Sequence, residues 1–237
     1  MTKIGKRTRA ARENVDRFKQ YQLSTAIDLV KQNATAKFDE TVELHLKTGL
    51  DGRHADQTVR GSVVLPHGVG KDVRVVVFAE GEAATAAIEA GADEVGSDDL
   101  IERVQGGFTD FDVALAQREL MGKVGGLGRV LGPRGLMPNP RNNTVLAAQD
   151  IARGVKEAKA GRVDFRLDRT NVIHVTVGKA SFSDDQLAEN LMALYSEISK
   201  ARPSGAKGQM IRGATLASTM GPGVQVDVAS LNAEVGA

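Results

Sequence analysis

The hydrophobic pattern changes character twice along this chain, and that change constrains the fold more than any other feature. Val42, Leu44 and Leu46 alternate with Glu43, His45 and Lys47. Val59, Gly61, Val63 and Leu65 repeat the step until Pro66 ends it. A period of two belongs to a strand with one face buried, and proline cannot continue a ladder. From Val73 to Ala79 the chain is instead almost continuously apolar, as suits a strand covered on both faces. Beyond Gly161 the alternation returns in Val163, Phe165 and Leu167 and again over Val172–Val177, with Asp168–Asn171 reading as the hairpin turn between them.

Helical signals fill the intervals. Ser24 can cap a helix carrying Ala26, Ile27, Leu29 and Val30. In the middle segment a small-residue helix runs from Glu82 to Ala90 with Gly91 as its stop, and Asp98 and Asp99 open another that reaches Val104. Val113–Leu115 reads as a second short buried strand. Alternating strand and helix imply βαβ units and a small parallel sheet. Helix returns over Gln149–Ala160. Ser183 and Gln186 then form a capping box for a helix whose Leu187, Leu191, Leu194 and Ile198 share one face, with Pro203 beyond its end. Gln209–Thr219 and Val224–Val228 read as closing strands.

The two styles are most simply reconciled by one domain inserted in another. The expectation is an α/β protein. Residues 1–67 and 161–237 form a discontinuous two-layer split α/β (α+β) domain with a mostly antiparallel sheet, and 68–160 form an inserted Rossmann-like parallel α/β domain. Two chain crossings would make a double hinge, for which rigid-body motion is the default expectation.

Net charge adds to this picture through its distribution. The total is only +1, but residues 68–159 carry 11 basic against 14 acidic side chains, leaving 20 against 16 elsewhere. Residues 1–19 alone hold 7 basic and 2 acidic groups, among them Lys3, Lys6, Arg7, Arg9 and Arg12, and residues 1–20 read as a basic arm. A basic outer domain suits phosphate backbones. No apolar stretch approaches the ~20 residues of a spanning helix, and no apolar segment follows the basic start. No membrane partner and a cytoplasmic location are therefore expected.

Enzymatic readings meet specific obstacles. In the run Gly122–Gly132, Gly126 and Gly128 fit a dinucleotide fingerprint, but Leu131 stands where its third glycine is required. The run also follows later elements, not the first strand, and reads as a flexible surface loop. His67–Lys71 resembles the tail of a phosphate loop, yet Leu65 and Asp72 occupy the positions that need Gly and Ser or Thr. There is no cysteine, and His45, His54, His67 and His174 lack paired helical spacing, so no metal and no cofactor is expected. The pairs Asp98–Asp99 and Asp184–Asp185, with Asp110 and Asp112, suit helix starts and turns. Seven Phe and two Tyr are too few for a platform of stacked bases. Recognition of a folded RNA by shape and backbone is the surviving binding mode.

The stretch from Leu120 to Pro140, LMGKVGGLGRVLGPRGLMPNP, resembles the signature of the ribosomal L-one family. The blocks Ala36–Glu43, Val59–Gly68, Val177–Phe182 and Ser218–Pro222 agree with it. The resemblance implies a non-enzymatic large-subunit ribosomal protein whose two chain ends bind RNA and whose middle domain carries no nucleotide. Its implied partners are the ribosome, large-subunit rRNA at the mobile stalk beside the tRNA exit site, tRNA in that site, whose release it helps, and its own messenger, whose translation it represses. The implied RNA face carries over to Lys37 as a phosphate contact, Phe38 and Met220 as an apolar patch, and Thr219 with the Gly221 backbone as hydrogen-bond donors. Thr41, Arg166 and His174 either join that face or shape it. From position alone, Phe38 precedes an alternating strand and would be a core residue. Arg129, Arg134 and Arg141 either touch RNA or tRNA or belong to a structural loop.

Overall fold

The structure is a computed structural model that describes residues 5–235. Its first segment contains α1 (Lys6–Glu13), α2 (Leu23–Asn33), β1 (Thr41–Thr48) and β2 (Arg60–Val64). The middle holds β3 (Val75–Phe78), α3 (Glu82–Glu89), β4 (Glu94–Gly96), α4 (Asp98–Gln105), β5 (Val113–Gln117), the single turns α5 (Met121–Val124) and α6 (Gly128–Leu131), β6 (Val145–Leu146) and α7 (Ile151–Lys159). The last segment contains β7 (Arg162–Arg166), β8 (Val172–Lys179), α8 (Asp184–Lys200), β9 (Ile211–Ser218), β10 (Val224–Val226) and α9 (Val228–Val235). The chain forms two units, Met1–Gly70 with Val163–Ala237, and Lys71–Arg162.

The outer unit is a two-layer α/β structure. Its sheet has the order β10-β9-β1-β8 and is antiparallel throughout. β2 and β7 pair separately, and a single bridge, Leu167↔Ile173, joins β7 to β8 across the hairpin. Val42, Leu44 and Leu46 of β1 are fully buried together with Ile27 of α2 and Leu191, Leu194 and Ile198 of α8. The opposite parity, Thr41, Glu43, His45 and Lys47, is half-exposed or exposed, so the sheet turns a polar face outward. The capping box is present: the Ser183 hydroxyl accepts from the Gln186 N–H, and the Gln186 side chain accepts from the Ser183 N–H.

The inserted unit is a parallel sheet of order β4-β3-β5-β6. Every residue of β3 is buried. Val76 and Phe78 pack with α4, and Val75 and Val77 with α3 and α7. At Gly154 the helix α7 comes so near the sheet that a Cβ would lie 2.2 Å from a Leu146 methyl.

Several sequence expectations need correction. Within the basic arm, residues 6–13 form helix α1, with Ala11 as its buried contact; Lys3 lies outside the described residues. Helix α2 starts at Leu23 with Gln22 at the N-cap position and no side-chain cap, and Ser24 lies inside its first turn. The Gly-rich run is not a flexible loop. Leu120, Val124, Leu127 and Leu131 are all buried against the sheet of the inserted unit, and their steps of four, three and four are those of a helical face. β4, β6 and α9 are elements that the sequence pattern did not announce.

Candidate nucleic-acid interface

Three sequence blocks that lie far apart in the chain meet at one end of the outer sheet. The loop 34–40 leads into β1. The turn after β8 carries Ser181, and the turn after β9 carries Thr219, Met220 and Gly221. Antiparallel pairing places Thr41 opposite Lys179 on one side and Val42 opposite Ser218 on the other.

Glu40 fastens these turns. It is 1% exposed. Its Oε1 accepts the Ala36 N–H at 2.9 Å, and its Oε2 accepts the Met220 N–H, also at 2.9 Å. Its backbone carbonyl accepts the Ala180 N–H at 2.8 Å. Burial pushes this carboxyl up, but the N–H groups of Met220 and Ala36, the nearby Ser218 hydroxyl and the positive field of Arg7 outweigh it and hold the group below its ordinary value. Glu40 therefore remains a carboxylate. Asp39 adds a second tie, accepting from the Ser181 N–H at 3.1 Å and the Ser181 hydroxyl at 2.7 Å.

With the loops held from below, their tips face outward. Phe38 is 55% exposed and Met220 is 50% exposed, so neither belongs to the core, contrary to the positional reading of Phe38. Lys37 is exposed on the same loop. Thr41 is half-buried, and its hydroxyl accepts from the Lys179 amine at 2.9 Å.

The donors expected of Thr219 and Gly221 are engaged within the chain. The Thr219 hydroxyl accepts the Thr41 N–H at 2.9 Å and donates to the Thr41 carbonyl at 3.3 Å, while the Thr219 N–H donates to the same carbonyl at 3.0 Å. The Gly221 N–H donates to the Ser218 carbonyl at 3.1 Å. A Cβ on Gly221 would lie 2.5 Å from the Ser218 hydroxyl. A larger residue there would have to displace the buried Ser218 hydroxyl.

Arg166 and His174 lie away from these turns. His174 stands opposite His45 in the β1–β8 ladder, four residues from Thr41 along β1. Both histidines point to the outward polar face of the sheet. Arg166 is exposed at the end of β7, next to Leu167, whose bridge to Ile173 brings that end beside β8. Lys37, Phe38, Thr41, Thr219, Met220 and Gly221 form one cluster; His174 lies further along the outward face of the sheet, and Arg166 lies on the separate β2–β7 pair.

Sequence reasoning missed Glu40 and His45. Glu40 is an unremarked acid before a strand, and the signal that it is buried lies only in the tertiary contacts. The alternation places His45 on the polar face of β1 but gives no sign of its cross-strand partner His174. In the inserted unit, Arg129 and Arg141 are exposed, while Arg134 donates to the Thr109 hydroxyl. No group of three potential metal-ligating side chains occurs among the described residues, and no helix there is long and apolar enough to cross a membrane.

The profile of the Ribosomal protein L1p/L10e family matches residues 30–222. The large ribosomal subunit protein uL1 of Chloroflexus aurantiacus (strain ATCC 29366 / DSM 635 / J-10-fl) is 56% identical over 228 residues, 96% of each chain. The protein of that name from Chloroflexus aggregans (strain MD-66 / DSM 9485) is 56% identical over 232 residues, 98% of each chain.

Proposed function

Because the chain belongs to the Ribosomal protein L1p/L10e family, a family of ribosomal proteins and not of enzymes, we propose that it binds large-subunit rRNA through the turns clustered around Glu40. The observation that carries this reading is a rigid platform with an apolar tip. A buried carboxylate fixes two loops from beneath, yet leaves Phe38 and Met220 half in solvent. Soluble chains have little reason to hold two large apolar side chains outward on anchored turns unless a partner covers them. With Lys37 beside them and the polar sheet face behind, that partner is a folded RNA offering sugar and base surfaces to the tip and phosphates to the cations.

The finer reading follows from the family. The RNA is the mobile stalk of the large subunit beside the tRNA exit site, the protein assists tRNA release there, and it works in the cytoplasm with the ribosome. The same outer face recognises a similar fold in the protein's own messenger and represses its translation. Arg129 and Arg141 of the inserted unit are the groups available to tRNA.

A salt-titrated gel shift with a stalk rRNA fragment tests the core of this proposal. The logarithm of affinity falls linearly with that of salt as phosphates are neutralised. Met220→Asp and Phe38→Ala are each expected to weaken specific binding more than about ten-fold, since a charge forced into an apolar contact or the loss of an aromatic surface costs about 2 kcal/mol or more. Both variants should fold normally, because both side chains are exposed. Equal affinity for stalk RNA and random transcripts would overturn the proposal.

A further inference from the structure

His45 and His174 are cross-strand partners on the outward face of the outer sheet. Their Nδ1 atoms are 2.8 Å apart, with ring centroids 5.0 Å apart and the planes inclined at 66°. Two bare lone pairs repel at that distance and two N–H groups clash. One Nδ1 must donate and the other accept.

The proton count follows. In the neutral pair the donor ring has a lone pair on Nε2 and the acceptor ring has an N–H there, so one Nε2–H is free of the contact. A further proton enters at the donor ring's Nε2. The Nδ1 contact survives, the pair carries one positive charge, and both Nε2–H groups are free of that contact. A second further proton would have to enter at the bridging Nδ1 and break the contact. The pair therefore takes up one proton without rearrangement, and resists two.

The surroundings leave the sign of this patch to that proton. On β1 the neighbours are Glu43, whose Oε2 is 3.9 Å from His45 Nε2, and the exposed Lys47. Across β8, Asp168 lies 3.6 Å from His174 Nε2, and Arg166 is the exposed residue before Leu167, which bridges to Ile173. The oxygens of Asp168 already accept the Thr170 N–H, the Thr170 hydroxyl and the Val172 N–H. From β9 the residue opposite His45 is the uncharged Thr215, with Gln225 of β10 beyond it. In the free protein, burial and the neighbouring His174 hold His45 below its ordinary value, against the pull of Glu43.

We propose that His45 and His174 together form a phosphate-binding site that takes up one proton as RNA docks, the two Nε2–H groups donating to the non-bridging oxygens of a backbone phosphate. The inference rests on the RNA-binding reading above and adds a linkage to it: RNA affinity rises as pH falls towards the ordinary histidine value. The phosphate supplies the negative charge that draws the proton in, and Lys47 flanks it.

The test measures the dissociation constant for a stalk rRNA fragment from about pH 8 down to about pH 5.5 at constant salt, the range in which histidine titrates and carboxylates do not. Wild-type affinity should rise on acidification, by at most about ten-fold per pH unit, because one proton is linked. Titration calorimetry in buffers of different ionisation enthalpy should show net uptake approaching one proton. His45→Gln and His174→Gln should each flatten the slope and abolish the uptake while leaving thermal stability near wild type. A wild-type pH slope retained in either variant, or specific binding with no slope in the wild type, overturns the site. Met220→Asp separates this from the reading beneath it. Full affinity in that variant counts against docking at the Glu40 turns whatever the histidines do. Loss of affinity there, with the slope persisting in the histidine variants, removes the proton-linked site alone.

Discussion

Removing the Glu40 carboxylate should dismantle the interface without touching a residue that meets RNA. In Glu40→Ala, the N–H groups of Ala36 and Met220 lose their acceptor in a place where the carboxylate itself is 1% exposed. An unsatisfied buried donor costs about 1–3 kcal/mol. Two such donors give roughly 2–6 kcal/mol, and about 3 kcal/mol once the loops relax and admit water. Glu40→Gln retains one acceptor oxygen but turns an NH2 group towards the other donor, so it should recover less than half of the loss. The chain supplies its own selective probe. Its two tyrosines, Tyr21 and Tyr195, are both buried in the outer unit, and there is no tryptophan. Denaturation followed by tyrosine fluorescence therefore reports on that unit alone. A loss of about 3 kcal/mol should lower its midpoint by roughly 6–12 °C, at 2–4 °C per kcal/mol for a unit of this size. Affinity for stalk RNA should fall more than ten-fold at a temperature where the variant is still folded, because Phe38 and Met220 no longer share a fixed platform. A stability change below about 0.5 kcal/mol with RNA affinity intact would refute the idea that Glu40 organises the site.

The same carboxylate gives the outer unit a signed response to acid. Its folded-state pKa lies below the ordinary 4.5, so its stabilisation is complete above that value and is lost as pH falls through the folded value. Glu40→Ala should lose less stability than wild type between about pH 6 and pH 3, read by tyrosine fluorescence; equal acid sensitivity would count against the assignment. In the inserted unit, Leu127→Ala should cost about 2–5 kcal/mol, since Leu127 is fully buried within the Gly-rich run. Hydrogen exchange over residues 118–132 measures this, and a negligible effect would restore the picture of a flexible loop.

The regular elements were legible wherever one residue's neighbours in sequence are also its neighbours in space. The alternation over 42–46, the unbroken apolar run at 75–78 and the capping box at Ser183 each encode their structure within a few residues. The Gly-rich run misled because glycine and proline composition masked a helical spacing that Leu120, Val124, Leu127 and Leu131 carry openly. β4, with three residues, and β6, with two, are too short for any periodicity. The interface was legible only in part. Resemblance pointed to Lys37, Phe38, Thr219 and Met220, and they share one cluster. It also assigned outward donors to Thr219 and Gly221, and those groups are engaged in holding the turn. No local pattern separates a buried Glu40 from a solvated one.

This difference has a physical origin in the topology. Glu40 and Met220 are 180 residues apart, and Asp39 and Ser181 are 142 apart. β1 reaches both partners only because β8 and β9 flank it in the sheet. The turns around Glu40 therefore need both ends of the chain, paired across the whole inserted segment. The entropic penalty of closing so long a loop grows only slowly with its length, by about 0.6 kcal/mol for each doubling, so the insertion is thermodynamically tolerable. It does ensure that neither end of the chain alone can present Phe38 and Met220 together. A segment ending before β8 holds Lys37 and Phe38 on a loop whose anchor has no second partner. A segment beginning after β2 holds Met220 on a turn without Glu40. Presentation of Phe38 and Met220 on one platform is consequently a property of the completed sheet.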